Sequence, residues 1–203
     1  MHNELPNIIS GKSQVRHGAN IQAVLGYLRA SEESSALGKA DKHFKCEETT
    51  RLKTYIESHG LWVKDIDLDN YVSEGAEQRV YLKDDKSVVK LNDAIYYLSW
   101  EDYFVSLLLN NYFFPDTAYN LLGFFENEDV VYAVVEQPFV RADEPTNLVF
   151  VEQFLNSNGF QKTRNNDYLN PELGVILEDL HDENVLTCKG VLYFIDTVFY
   201  LKL

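Results

Sequence analysis

Apolar residues recur at helical intervals through the first sixty positions. In NIQAVLGYLRASEES, Ile21, Val24, Leu25 and Leu28 share one face of a 3.6-residue repeat. In EETTRLKTYIESHG the face is drawn by Leu52, Tyr55 and Ile56 before Gly60 ends the run. The polar SSALGKADKHFK between them reads as a loop. From LWVKDIDLDNY onward the period changes. YVSEG, RVYLKDD and SVVKLND predict strands of an antiparallel sheet, with KDDK as the hairpin turn between the last two.

AIYYLSWEDYFVSLLLNNYFF predicts one buried helix from Ala94 to Phe114, with Tyr97, Trp100, Phe104, Leu107 and Leu108 on its apolar face and PDT breaking it. LLGFFENEDVVYAVVEQPFV predicts two strands about an ENED turn, the second limited by Pro138. PTNLVFVEQFLNSNG opens on Pro145, carries Leu148, Val151, Phe154 and Leu155 at helical spacing, and closes on Gly159. Short strands then flank DLHDEN. Helices and strands are segregated rather than alternating, which predicts an α+β fold and not a parallel βαβ sheet. No internal repeat or low-complexity tract interrupts the pattern.

A chain of 203 residues with 45% hydrophobic side chains can bury a sizeable core, so a largely disordered chain is excluded. The formal charge of −14 repels phosphate backbones, and no Lys/Arg stripe reverses it locally, so no nucleic-acid partner is expected. The first thirty residues lack a signal-peptide pattern and no window approaches 18 apolar residues, so neither a membrane partner nor a compartment other than the cytoplasm is expected. Cys46 and Cys188 have no metal-like spacing and read as free thiols.

The segment LEDLHDENVLTCKGVLYFID, Leu177 to Asp196, carries the candidate chemistry. Asp179 is followed five residues later by Asn184, and twelve beyond that by Asp196 at the end of an apolar strand. Phosphoryl transfer from ATP needs a carboxylate beside the acceptor hydroxyl and oxygen ligands for magnesium, and these residue types supply both. If the two short strands pair as a hairpin, the three side chains meet.

This segment resembles the catalytic loop of protein kinases and of the aminoglycoside-phosphotransferase group. Upstream, SEGAEQRVYLKDDKSVVKLND resembles the start of a kinase amino-terminal lobe, with a turn at Gly75, Val80 on a strand and Lys90 closing the next. The aromatic helix takes the place of that lobe's single helix, and VVYAVVEQPFV that of the strand leading to the hinge, around Glu136 to Val140. GAEQRVYL, FFPDTAYNLLGF, VVEQPFV and DLHDENVL…LYFID are similar to the kinase-like domains of polyvalent proteins of phages and conjugative elements, over about residues 66 to 198.

The resemblance implies a helical leader (1–65), a kinase-like amino-terminal lobe with an antiparallel sheet (66–140) and a reduced carboxy-terminal lobe (141–203). It implies ATP and magnesium as cofactors, a nucleotide partner, and transfer to a hydroxyl of a protein or small molecule. Asp179 would be catalytic, Asn184 and Asp196 magnesium ligands, and Gly75, Val80, Lys90 and Glu136 part of the nucleotide site. Glu101 is the candidate helix carboxylate for Lys90, with Asp102 as competitor. His181 is expected to be structural, Asp182 and Glu183 a solvated turn, and the aromatic stripe core packing.

Departures from the pattern are local. Glu77 and Gln78 stand where common kinases place further glycines, Leu177 replaces the usual His before the catalytic Asp, and Thr197-Val198 replaces Phe-Gly, against a mobile Phe switch. The sequence stops at Leu203, before the segments that form the usual peptide groove, so peptide phosphorylation in that groove is not expected. The alternative reading is a catalytically inactive nucleotide-binding module acting by protein interaction. The complete set Lys90, Asp179, Asn184 and Asp196 favours chemistry.

Overall fold

The computed structural model describes residues 4–32, 41–64, 66, 69–74 and 78–202. Three helices lead: α1 (Glu4–Ile9), α2 (Ala19–Glu32) and α3 (Asp41–His59). The apolar stripes expected for α2 and α3 are buried, with Ile21, Leu25, Leu52 and Ile56 each fully inaccessible, and both helices pack on a fourth, α4 (Trp100–Phe113). α3 begins at Asp41, inside the stretch read as a loop. α1 carries only Leu5, Ile8 and Ile9 as its apolar face, too short a run to stand out in the sequence.

The central helix starts later than its apolar pattern predicts. Ser99 is its N-cap, with Oγ accepting from the Asp102 N–H at 2.9 Å, worth about 1 kcal/mol. Residues 94–98 instead form a loop tied by local bonds: the N–H groups of Ala94 and Ile95 donate to the Asn92 and Asp93 side chains, and Lys45 of α3 donates to the carbonyls of Ala94 and Tyr97. Side chains that satisfy backbone groups locally compete with the helix, and here they win.

Glu48 of α3 completes the start of α4. Its carboxyl oxygens accept from the backbone N–H groups of Trp100 (2.6 Å) and Glu101 (3.0 Å), two donors a helix leaves unpaired. Glu48 is 1% exposed, and burial pushes its carboxyl up to about 7 against the pull of those N–H groups. The folded chain therefore holds this proton more tightly than the unfolded one. That contribution is complete below about pH 4.5 and is lost as pH rises to about 7. Glu48→Gln cannot accept from both N–H groups, and its cost in urea unfolding should be larger at pH 5 than at pH 8, by about 2 kcal/mol. Equal costs at the two pH values would contradict this.

Five antiparallel strands form the main sheet in the order β1-β2-β3-β5-β4: β1 (Tyr71–Glu74), β2 (Gln78–Leu82), β3 (Ser87–Asn92), β4 (Asn120–Asn127) and β5 (Val130–Pro138). The β2–β3 turn is fixed by Asp84, whose Oδ1 accepts from the N–H groups of Lys86 and Ser87. The β4–β5 turn uses Glu128 and Asp129, both at positive φ, as a two-residue hairpin of this hand requires. Alternation sends Leu121, Phe124, Val131, Ala133 and Val135 to a core shared with Trp100 and Phe104, while Tyr81, Leu91 and Val134 form a small cluster on the opposite face with Val63 and Ile66.

The segment after α3 runs beside β4, exchanging bonds between Leu61, Val63 and Phe124. Gly123 sits there at φ +154, beside a register shift, where a Cβ would collide with the Leu61 carbonyl.

Beyond the 3-10 turn Pro115–Thr117 and the sheet lie α5 (Leu148–Ser157), then β6 (Gln161–Lys162), β7 (Tyr168–Asn170), β8 (Val175–Glu178), β9 (Val185–Cys188), β10 (Val191–Phe194) and β11 (Val198–Leu201). They form a four-stranded antiparallel sheet, β11-β8-β7-β6, and a β9–β10 hairpin. The fold is thus α+β with antiparallel sheets. Among the described residues, no helix is long and apolar enough to cross a membrane.

Candidate active site

Two pairings bring the distant acids together. β8 and β11 pair antiparallel with Val198 opposite Glu178, so the chain leaves β8 at Asp179 and enters β11 from Asp196 at the same end of the ladder. β9 and β10 pair with Val185 opposite Phe194, which sets Asn184 beside Ile195, and the Ile195 N–H donates to the Asn184 carbonyl at 2.9 Å. The hairpin is therefore between β9 and β10: the strands that flank DLHDEN, β8 and β9, do not pair with each other. The hairpin tip, Lys189-Gly190, has positive φ at both residues and is held by Asp143 and Glu144, which accept the two tip N–H groups.

Asp179 turns the chain out of β8 at φ +65, a conformation Asp tolerates better than most residues. Its side chain is 57% exposed. Asn184 Nδ2 donates to the Asp179 carbonyl at 2.9 Å and to Oδ2 at 2.8 Å. That bonding uses the amide nitrogen and leaves Oδ1 as the acceptor. His181 Nδ1 accepts from the Glu183 N–H at 3.3 Å, and its Nε2 lies 3.2 Å from both Asp179 Oδ1 and Asn184 Nδ2. The histidine thus bridges Asp179, Glu183 and Asn184 within the loop.

Lys90 reaches the same place from the main sheet. Val80 and Lys90 are directly opposite on β2 and β3, and Val88 lies two residues earlier on the same face. The Lys90 side chain is 4% exposed; its Nζ donates to the Ile195 carbonyl at 2.9 Å and lies 3.9 Å from Asp196 Oδ2. The Tyr119 ring lies 5.5 Å below the ammonium, and its hydroxyl donates to the same Ile195 carbonyl.

The segment bearing Asp196, between β10 and β11, is held on both sides. Thr117 donates to the Phe194 carbonyl, Thr197 to Asn110 Oδ1 of α4, and the Phe199 N–H to Ser106 Oγ of α4. α4 is therefore more than an apolar stripe: its buried Ser106 and Asn110, four residues apart, fasten the segment around Asp196. Polar residues at that spacing inside an otherwise apolar run were the sequence signal for them. Burial raises the Asp196 carboxyl above the ordinary range and the Asp179 charge adds to this, while Lys90 opposes it. Burial also raises Glu178, with Asp167 and Asp179 contributing.

Two adjoining clefts of about 600 and 300 Å³ share Gln78, Glu183, Asn184 and Asp196. The smaller is walled on one side by the apolar Val80, Val88, Phe139 and Leu186 and elsewhere by polar groups that include Glu74, Gln137 and Lys90, its one cation among the described residues. The larger opens between Asp167, Asp179, Tyr96 and Tyr200.

Glu101 is not beside Lys90: Arg29 of α2 holds its carboxylate at 2.6 Å, because the late start of α4 leaves Glu101 in the first turn, facing the leading helices. Asp102 caps with Ser99 instead of competing for Lys90. Glu136 lies opposite Val89, on the sheet face away from Lys90, and pairs with Lys83 at 2.8 Å; the cleft side chain is the next residue, Gln137. Gly75 lies outside the described residues.

Among the described residues no cluster of three or more His, Cys, Asp or Glu is placed to hold a metal ion. Asp196 and Asn184 are instead a pair of hard oxygen donors, the set suited to magnesium that takes its remaining ligands from phosphates and water. No curated protein and no solved structure matches the chain. An Asp bonded to an Asn five residues on, a second Asp after a hairpin, and a sheet Lys 3.9 Å from that second Asp are residue types that a kinase site uses. Residues 45–203 match the family model of the serine/threonine/tyrosine kinase found in polyvalent proteins, and the chain belongs to that family.

Proposed function

We propose that the chain is a magnesium- and ATP-dependent phosphotransferase acting on a hydroxyl of a protein or small molecule. The observation that carries this reading is the convergence of Lys90, Asp179, Asn184 and Asp196 on two joined clefts, the smaller with an apolar wall beside its polar groups and the larger mostly polar. The smaller cleft takes the nucleotide, its base between Val80, Val88 and Leu186 and its phosphates toward Lys90. Asn184 Oδ1 and Asp196 hold the magnesium, which when bound neutralises phosphate charge. The larger cleft admits the acceptor. There Asp179, fixed by Asn184 and His181, orients the acceptor hydroxyl and takes its proton.

The γ-phosphorus–oxygen bond to ADP breaks as the bond to the acceptor oxygen forms, and the proton passes to Asp179. Positioning and electrostatics supply most of the rate in such a site. The test follows label from γ-labelled ATP with and without magnesium. Release or transfer that requires magnesium supports the reading, and a folded chain with no magnesium-dependent turnover contradicts it.

A further inference from the structure

Gln78 opens β2 directly after residues 75–77 and is 8% exposed. It lies opposite Asn92, two positions along from the Val80–Lys90 pair, so all four side chains share the cleft face. Its Nε2 donates to Asp196 Oδ2, joining the main sheet to a residue 118 positions away. Lys90 Nζ approaches that same oxygen. Two donors from neighbouring strands thus converge on Oδ2, and Oδ1 takes neither bond. Asp196 and Asn184 line the same two clefts.

The two donors do different things. An ammonium 3.9 Å away attracts a carboxylate as a compact charge but does little to fix its rotation. An amide N–H is directional, and it is neutral, so it orients the carboxylate without adding positive charge against an incoming cation. We propose that Gln78 is a positioning residue, which turns Asp196 so that one oxygen is held by the sheet and the other is presented to the divalent cation. This rests on the reading of Asp196 as a magnesium ligand.

Gln78→Met keeps the length of the side chain and removes the donor; Gln78→Ala removes both and checks for any effect of the thioether. ATP binding by the full chain is measured calorimetrically without magnesium and over a magnesium series. Because Gln78 also lines the nucleotide cleft, each variant's gain on adding magnesium is read against its own metal-free affinity. Both should need about tenfold more magnesium, or beyond, to reach half of that gain, and reach the full gain at high magnesium. A wild-type magnesium midpoint in a folded variant overturns the proposal. So does a loss of metal-free affinity with the midpoint unchanged, which would make Gln78 a nucleotide contact. If wild type itself shows no magnesium dependence, the phosphotransfer reading fails first and this assignment falls with it.

Discussion

Asp179→Asn is expected to lower phosphoryl transfer about 10²- to 10⁴-fold while leaving magnesium-dependent ATP binding close to wild type. The side chain is more than half exposed, so losing its charge costs the fold little. The replacement amide still offers an oxygen to Asn184 Nδ2, which keeps the loop in place, yet it cannot accept the acceptor proton. Steady-state rates at saturating MgATP, read beside calorimetric affinity, separate the two effects. Undiminished transfer would remove Asp179 from the mechanism, and loss of binding would make it a ligand-holding group.

Asp196→Ala has the complementary expected result: no gain in ATP affinity on adding magnesium, with the chain still folded. Asp196 sits between Lys90 and the clefts, and its carboxylate is the charged oxygen donor that Asn184 lacks. Its surroundings oppose the bare anion through burial and through Asp179, so a bound cation would relieve an existing cost. Lys90 keeps its bond to the Ile195 carbonyl, and Thr117, Asn110 and Ser106 still fasten the segment, so the variant should unfold cooperatively near the wild-type midpoint. Magnesium-dependent binding equal to wild type would sink the metal assignment.

What the sequence disclosed and what it hid follow from range. The DLHDEN loop and Asp196 are legible because they lie in one continuous stretch whose β9–β10 hairpin closes locally. Lys90 stands out by its place in the motif order, closing the strand after the Gly75 turn and Val80. Glu136 is misplaced by one residue, and on a strand one residue reverses the face. Glu101 is misjudged because the start of α4 is set by Glu48 and Lys45, about fifty residues upstream, and no local pattern announces that cap. Gln78 and Tyr119 acquire their roles only through bonds to residues 195 and 196. β6 and β7, with two and three residues, are too short to carry a period.

The magnesium and nucleotide reading is tested most directly by thermal unfolding of the full chain alone, with ATP, with magnesium, and with both. A ligand at a hundred times its dissociation constant stabilises by about 2.7 kcal/mol, a rise of roughly 5–10 °C for a domain of this size. The predicted result is a rise of that order only when ATP and magnesium are present together. A midpoint that stays fixed under all four conditions would contradict the nucleotide site built from Lys90, Asn184 and Asp196.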